Sequence, residues 1–378
     1  MATIPFNKSV TIGNETKYVT DVVTTGRFGV AGIYKKQCEA WLKDHYDAED
    51  VIVTQSCTDA LEMAAMLADV GPGDEVIMPS FTFSSTANAF ALRGAALVFV
   101  DIDPMTLNID PEEVAKAVTD KTKVIVPVDY AGHPCDMKAL QQIADTHNLM
   151  IVEDAAQAMM ANIDGRPVGV HADVSTLSFH NTKNIACGEG GALIINNPKY
   201  AKRAAILAEK GTNRKAFFLG EVDKYSWVDI GTSAVPSELT SAYLMGQLDH
   251  AEEITAKRRA AWQAYQKALA PLENTGLVKL PYVEPGCEHN AHMFYLLLRD
   301  NDLRNHMIKE LRDRGISAPF HYVPLHSAEA GQKLGRAVGD MAVTDRISST
   351  LIRLPMWVGV DEHVPQIVAE IENILLAA

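Results

Sequence analysis

Apolar residues cluster in short runs along the first half of the chain: VIV at 51–53, EVIMP at 75–79, ALVFVD at 96–101, KVIVPV at 123–128, LMIVED at 149–154 and VSTLSF at 174–179. Such short runs, rich in β-branched residues, have the pattern of strands buried on both faces. Between them, DALEMAAMLADV (59–70), PEEVAKAV (111–118) and DMKALQQIADTHN (136–148) repeat apolar residues three or four positions apart, which gives a helix one inward stripe. Strands and helices in alternation predict an α/β domain built on a largely parallel sheet.

The pattern changes after Pro236. A helical periodicity runs to about Ala270 and is expected to stop at Pro271. Beyond it, MFYLLLRD, a helix near 301–314, ISAPFHYV and a closing helix at 361–377 make a mixed α+β pattern. A chain of 378 residues exceeds one simple core, so two units are expected. The larger spans 1–248 and includes an N-terminal arm of about 30 residues; the smaller spans 249–378.

Composition narrows the class. With 47% hydrophobic and 22% charged residues the chain is globular. No apolar run approaches the roughly 18 to 20 residues of a membrane helix, and MATIPFNKSV lacks the basic and apolar segments of a secretory leader. The expectation is a soluble cytoplasmic protein with no membrane partner. Cys38, Cys57, Cys135, Cys187 and Cys287 form no CxxC pair, which argues for reduced thiols and against a zinc ribbon. Cys57 and Cys187 read as small packing residues, not nucleophiles. A formal net charge of −14 disfavours nucleic acid, and an anionic ligand needs a local site.

In open α/β sheets ligands gather at the carboxyl ends of the strands. Three such ends carry candidate chemistry. In VIVTQSCTDALEM, a strand gives way to Ser56, Cys57, Thr58 and a helix. Free backbone N–H groups there suit a phosphate, although the same residues serve as ordinary helix caps. In IVEDAAQ, one helical turn puts Asp154 and Gln157 on one side. The carboxylate can pair with a protonated pyridine nitrogen and Gln157 can bond a ring oxygen; Asp154 can equally be an N-cap. In STLSFHNTKNIACGEGGALII, Lys183 stands in a polar loop before a glycine-rich return into another strand. A lysine amine has an ordinary pKa of about 10.4, and burial lowers it, giving a neutral amine able to form an imine with an aldehyde. The same lysine on a solvated loop would have no such role.

Taken together, a phosphate cradle, a carboxylate for a ring nitrogen and an imine lysine lie at one edge of one sheet. The chain resembles the DegT/DnrJ/EryC1 family of nucleotide-sugar aminotransferases through SCTDALEMAA, GDEVIMPSFTFSSTANAFALRGA, VIVPVDYAG, VEDAAQ, SFHNTKN, GEGGA, EKGTNR, NAHMFY and HYVPLH. That resemblance implies the fold type I of pyridoxal 5′-phosphate (PLP) enzymes: a large domain with a mostly parallel sheet and a smaller α+β C-terminal domain. It implies Lys183 and Asp154 as catalytic residues, Lys183 joined to the cofactor and Asp154 at the pyridine nitrogen. It places Gln157 at the ring hydroxyl, Ser178, Cys57 and Thr58 at the phosphate and Phe83 over the ring. Taken without the resemblance, Phe83 reads as an ordinary core residue.

The implied reaction moves the amino group of glutamate, through the pyridoxamine form, to a 4-keto-6-deoxy sugar on dTDP. Another keto sugar nucleotide, a cyclic polyol ketone or a binding role without turnover are the alternatives. A homodimer with the site at its interface is implied as well. Tyr322 and His321 are candidates for the sugar or parts of a packed strand; Arg214 and Lys210 are candidates for the diphosphate or solvated charges. His321 and His326 have no accompanying carboxylate cluster, so no metal is expected. One departure stands out: many members of the family it resembles carry Tyr-Asn before the long helix, the asparagine reaching the phosphate of the neighbouring subunit, where this chain has Ala234 and Val235. Thr232 or Ser233 is expected to substitute.

Overall fold

The structure, a computed structural model, describes residues 3–29 and 32–377. Its centre is an eight-stranded sheet ordered Asp50–Thr54, Gly191–Ile195, Val174–Ser178, Met150–Asp154, Thr122–Ile125, Glu75–Pro79, Ala96–Val100 and Gly335–Ala337. Gly191–Ile195 runs antiparallel to both neighbours, and the other pairings are parallel. The predicted runs are these strands because both faces are covered. Val76, Met78, Val124 and Val152 enter one apolar cluster, while Ile77, Ile125 and Ile151 enter another on the opposite face.

Helices start where their sequence supplies caps. Ser56 accepts from Asp59 N–H before Cys57–Leu67, Asp136 accepts from Ala139 N–H before Met137–His147, and Asp110 precedes Pro111 at the start of Pro111–Ala117. The expected single helix from Pro236 is two, Glu238–Leu248 and Ala251–Glu273, broken at Asp249 and His250. Pro271 does not stop the second. It lies in the last turn, so the one i→i−4 bond it removes falls at the helix end, and the helix runs on to Glu273. The closing helix begins at Val364 after a 3₁₀ turn, Val360–His363, later than expected.

A second core gathers Trp262, Tyr265, Phe294, Met307, Ile352 and Ile371 around a three-stranded sheet of Val278–Lys279, Phe294–Leu298 and Leu351–Leu354. The N-terminal segment reaches both cores. Ile4 bridges Ile316 and packs in the second core, while the helix Glu15–Thr25 lies against Glu238–Leu248. Among the described residues no helix is long and apolar enough to cross a membrane.

Candidate active site

Period-two alternation at the end of Met150–Asp154 turns adjacent carboxylates to opposite faces of the sheet. Glu153 faces a hollow of about 1060 Å³ that holds none of the residues singled out around Lys183. Asp154 faces a smaller cavity of about 630 Å³, and the candidate chemistry converges there. Cys57, Thr58, Phe83, Gln157, Ser178 and Lys183 line it with Asp154, as do His321 and Tyr322.

Asp154 is buried, 5% exposed. Its Oδ2 accepts the Thr86 hydroxyl at 2.7 Å and its Oδ1 the Ala156 N–H at 3.2 Å. Burial nevertheless pushes the carboxyl above its ordinary range, against the pull of these bonds and of Lys183. Burial likewise lowers the Lys183 amine, against the nearby Cys57 and Asp154. The pair is therefore an acid short of a cation and an amine pushed toward its neutral form.

Gln157 is fixed at both ends of its amide: Oε1 accepts from Ala131 N–H at 2.7 Å, and Nε2 donates to the Tyr322 hydroxyl at 3.0 Å. Burial and the adjacent Arg353 hold His321 neutral, with its Nδ1 2.9 Å from the Tyr130 hydroxyl. At the helix start, the N–H groups of Cys57 and Thr58 have no acceptor among the described residues. Thr58 donates its hydroxyl to Ser85 at 2.9 Å, and Ser178 Oγ stands 3.4 Å from His180 N–H. Gly191 approaches so closely that a Cβ there would lie 2.5 Å from the Ser56 carbonyl carbon. Phe83, in the loop before Ser84–Ala91, is 59% exposed, with its ring 6.3 Å from that of Tyr322. Burial raises the Cys57 and Cys187 thiols, the latter to about 12, so neither is a nucleophile at neutral pH.

Arg214 lies outside this cavity, on the short helix Arg214–Phe218, 3.6 Å from Glu209 and over the Phe218 ring. Lys210, Thr232 and Ser233 are also absent from its lining. His326 sits apart, its Nδ1 2.7 Å from Ser80 Oγ. The lining also includes residues with no role in the sequence reading, among them Thr86, His292, Arg353 and Phe6. Thr86 and His292 fall inside the quoted motifs PSFTFSSTANA and NAHMFY, so a signal was present. Arg353 is the lone polar residue of an apolar strand, and Phe6 belongs to the arm.

A family model described as the DegT/DnrJ/EryC1/StrS aminotransferase family matches residues 10–372. The chain belongs to this family. It is 34% identical over 357 residues to a pleiotropic regulatory protein of Geobacillus stearothermophilus, covering 94% of this chain and 92% of that one. It is 33% identical over 341 residues to the dTDP-3-amino-3,4,6-trideoxy-alpha-D-glucose transaminase of Streptomyces venezuelae, covering 89% and 86%. Among solved structures, the PLP form of Spr1654 from Streptococcus pneumoniae superposes with a TM-score of 0.89 at 26% identity, over 98% of each chain.

The protein is thus a PLP-dependent sugar aminotransferase of fold type I. The cavity of this family member fits that cofactor. It offers a buried carboxyl lacking a counter-charge, a lysine amine with lowered proton affinity, and a helix start with unpaired N–H groups that Gly191 leaves unobstructed.

Proposed function

We propose that the protein transfers the amino group of glutamate to a 4-keto-6-deoxy sugar carried by dTDP, converting dTDP-4-dehydro-6-deoxyglucose to dTDP-4-amino-4,6-dideoxygalactose in the cytoplasm. The observation that carries this reading is Lys183 and Asp154 in one cavity, each with a proton affinity displaced by burial. PLP supplies an electron sink for the electrons left when a proton departs the amine-bearing carbon. Asp154 would hold the ring nitrogen protonated, and Thr86 holds Asp154. Gln157, Phe83, Cys57, Thr58 and Ser178 line the same cavity, where Gln157 would meet the ring hydroxyl, Phe83 would cover the ring and Cys57, Thr58 and Ser178 would bind the phosphate. Lys183 would hold the cofactor, and its Nζ would be the base that accepts the proton of the donor's α-carbon and the acid that supplies one to the sugar carbon. Tyr322 and neutral His321 line the side on which the sugar would lie.

We place the site at the interface of a homodimer. The segment that follows Arg214 exposes Phe218, Leu219 and Trp227 at 71%, 65% and 78%, an apolar surface suited to a second copy. Arg214 would then meet the sugar nucleotide's diphosphate from the neighbouring chain. The 33% identity to a transaminase named for a dTDP-linked amino sugar supports the nucleotide-sugar class. The test is glutamate supplied with a panel of dTDP, UDP and GDP keto sugars. Steady 2-oxoglutarate release with the dTDP-4-keto sugar, and an axial amine in the product by NMR, is the expected result. Turnover only with another acceptor would reassign the substrate.

A further inference from the structure

Leu351–Leu354 is an apolar strand with one charged residue. Period-two alternation sends Ile352 and Leu354 into the second core and turns Leu351 and Arg353 to the other face. On that face Leu351 packs with Phe81, Tyr130 and Tyr295, and Arg353 lines the Lys183 cavity. The guanidinium lies 4.4 Å from the Phe6 ring, which fixes its plane. Its Nε is buried with no hydrogen-bond partner, and among the described residues no carboxylate forms an ion pair with it. A half-buried arginine whose Nε is shut off from solvent without an acceptor and which has no counter-ion carries a cost that an anionic ligand would relieve.

The anions this site must hold can be assigned in turn. The cofactor phosphate has the unpaired N–H groups of Cys57 and Thr58, and Asp154 is the negative partner of the ring nitrogen. The diphosphate of a sugar nucleotide is attached several bonds from the ketone that reacts. Arg353 and Lys183 line the same cavity, so an anion seated on the guanidinium shares that cavity with the amine that handles the reacting carbon. An amino acid carries its α-carboxylate one bond from that carbon. We propose that Arg353 binds the α-carboxylate of the amino donor and thereby selects α-amino acids over simple amines. A planar guanidinium already oriented by Phe6 suits a two-point grip on a carboxylate.

This assignment rests on the aminotransferase reading above, and a cycle of two changes tests it on cofactor-loaded protein. The half-saturating concentration for bleaching the bound cofactor is measured with L-glutamate and with isoglutamine, its 1-amide. In the unmodified protein the amide should bind more weakly on the order of 100-fold. Arg353→Met should weaken glutamate by a similar factor and show almost no further loss with the amide. Arg353→Lys, which keeps the charge without the fork, should fall between. Calorimetry with glutarate, which has no amine to transfer, should detect binding to the unmodified protein and none to Arg353→Met. If Arg353→Met and Arg353→Lys saturate with glutamate as the unmodified protein does, the assignment is overturned. Release of cofactor with unchanged glutamate saturation in the reloaded variants also overturns it, and gives Arg353 to the phosphate. Failure of glutamate to bleach the unmodified protein sinks the aminotransferase reading itself.

Discussion

The Gln157 side-chain amide donates to the Tyr322 hydroxyl at 3.0 Å, joining residues 165 positions apart across the cavity. With Oε1 already accepting from Ala131 N–H, the amide cannot rotate, so the group proposed to meet the cofactor's ring hydroxyl is held by a residue proposed to meet the sugar. Tyr322→Phe removes one hydrogen bond worth about 1 kcal/mol. The expected outcome is retained cofactor and a loss of turnover of roughly fivefold, read as kcat against KM for the sugar.

Thr86 is the strongest side-chain anchor of Asp154, and its hydroxyl serves an acid that burial already pushes toward neutrality. Removing a hydrogen bond to a charged group costs about 1.5–3 kcal/mol, which equals one to two units of pKa. Thr86→Val should therefore raise the Asp154 pKa further and weaken cofactor binding roughly 10- to 100-fold. Spectroscopic titration of apoprotein with PLP measures it.

The close approach of Gly191 to the turn at Ser56 leaves no room for a side chain. Gly191→Ala should shift the helix start, costing about 1–3 kcal/mol of stability, and should loosen the phosphate site as well. Thermal unfolding and cofactor dissociation should both worsen. Lower stability with unchanged cofactor affinity would separate Gly191 from the phosphate.

Glu153 and Asp129 are buried behind Asp154. Burial raises both carboxyls, Glu153 to about 7, and the Glu153 charge raises Asp129 further. The folded state thus binds protons more tightly than the unfolded state, so stability is fully present below the ordinary carboxyl range and is lost as pH rises from about 4.5 toward 7. Glu153→Gln should flatten that loss and stabilise the protein at pH 8 by on the order of 1–3 kcal/mol. Urea midpoints at pH 5 and pH 8 for both proteins check the sign.

That Asp154, Gln157 and Lys183 share one cavity was legible because strand ends in a parallel sheet gather on one edge and these residues stand where apolar runs end. Arg353 was not legible. One arginine in an apolar strand has many readings, and the ring it stacks on is Phe6, at the far end of the chain. Thr86 was hidden for a related reason: a threonine near a helix start looks like a cap, and only the fold brings it to Asp154. The break at Asp249 and His250 also escaped the periodicity, since apolar spacing continues on both sides of it.

The central claim is that Lys183 carries the cofactor opposite Asp154. Borohydride reduction of PLP-saturated protein, followed by peptide mass mapping, tests it most directly. The account predicts a pyridoxyl group on the peptide containing Lys183 and its absence from Lys183→Ala. A pyridoxyl group on another lysine, or none, would contradict it.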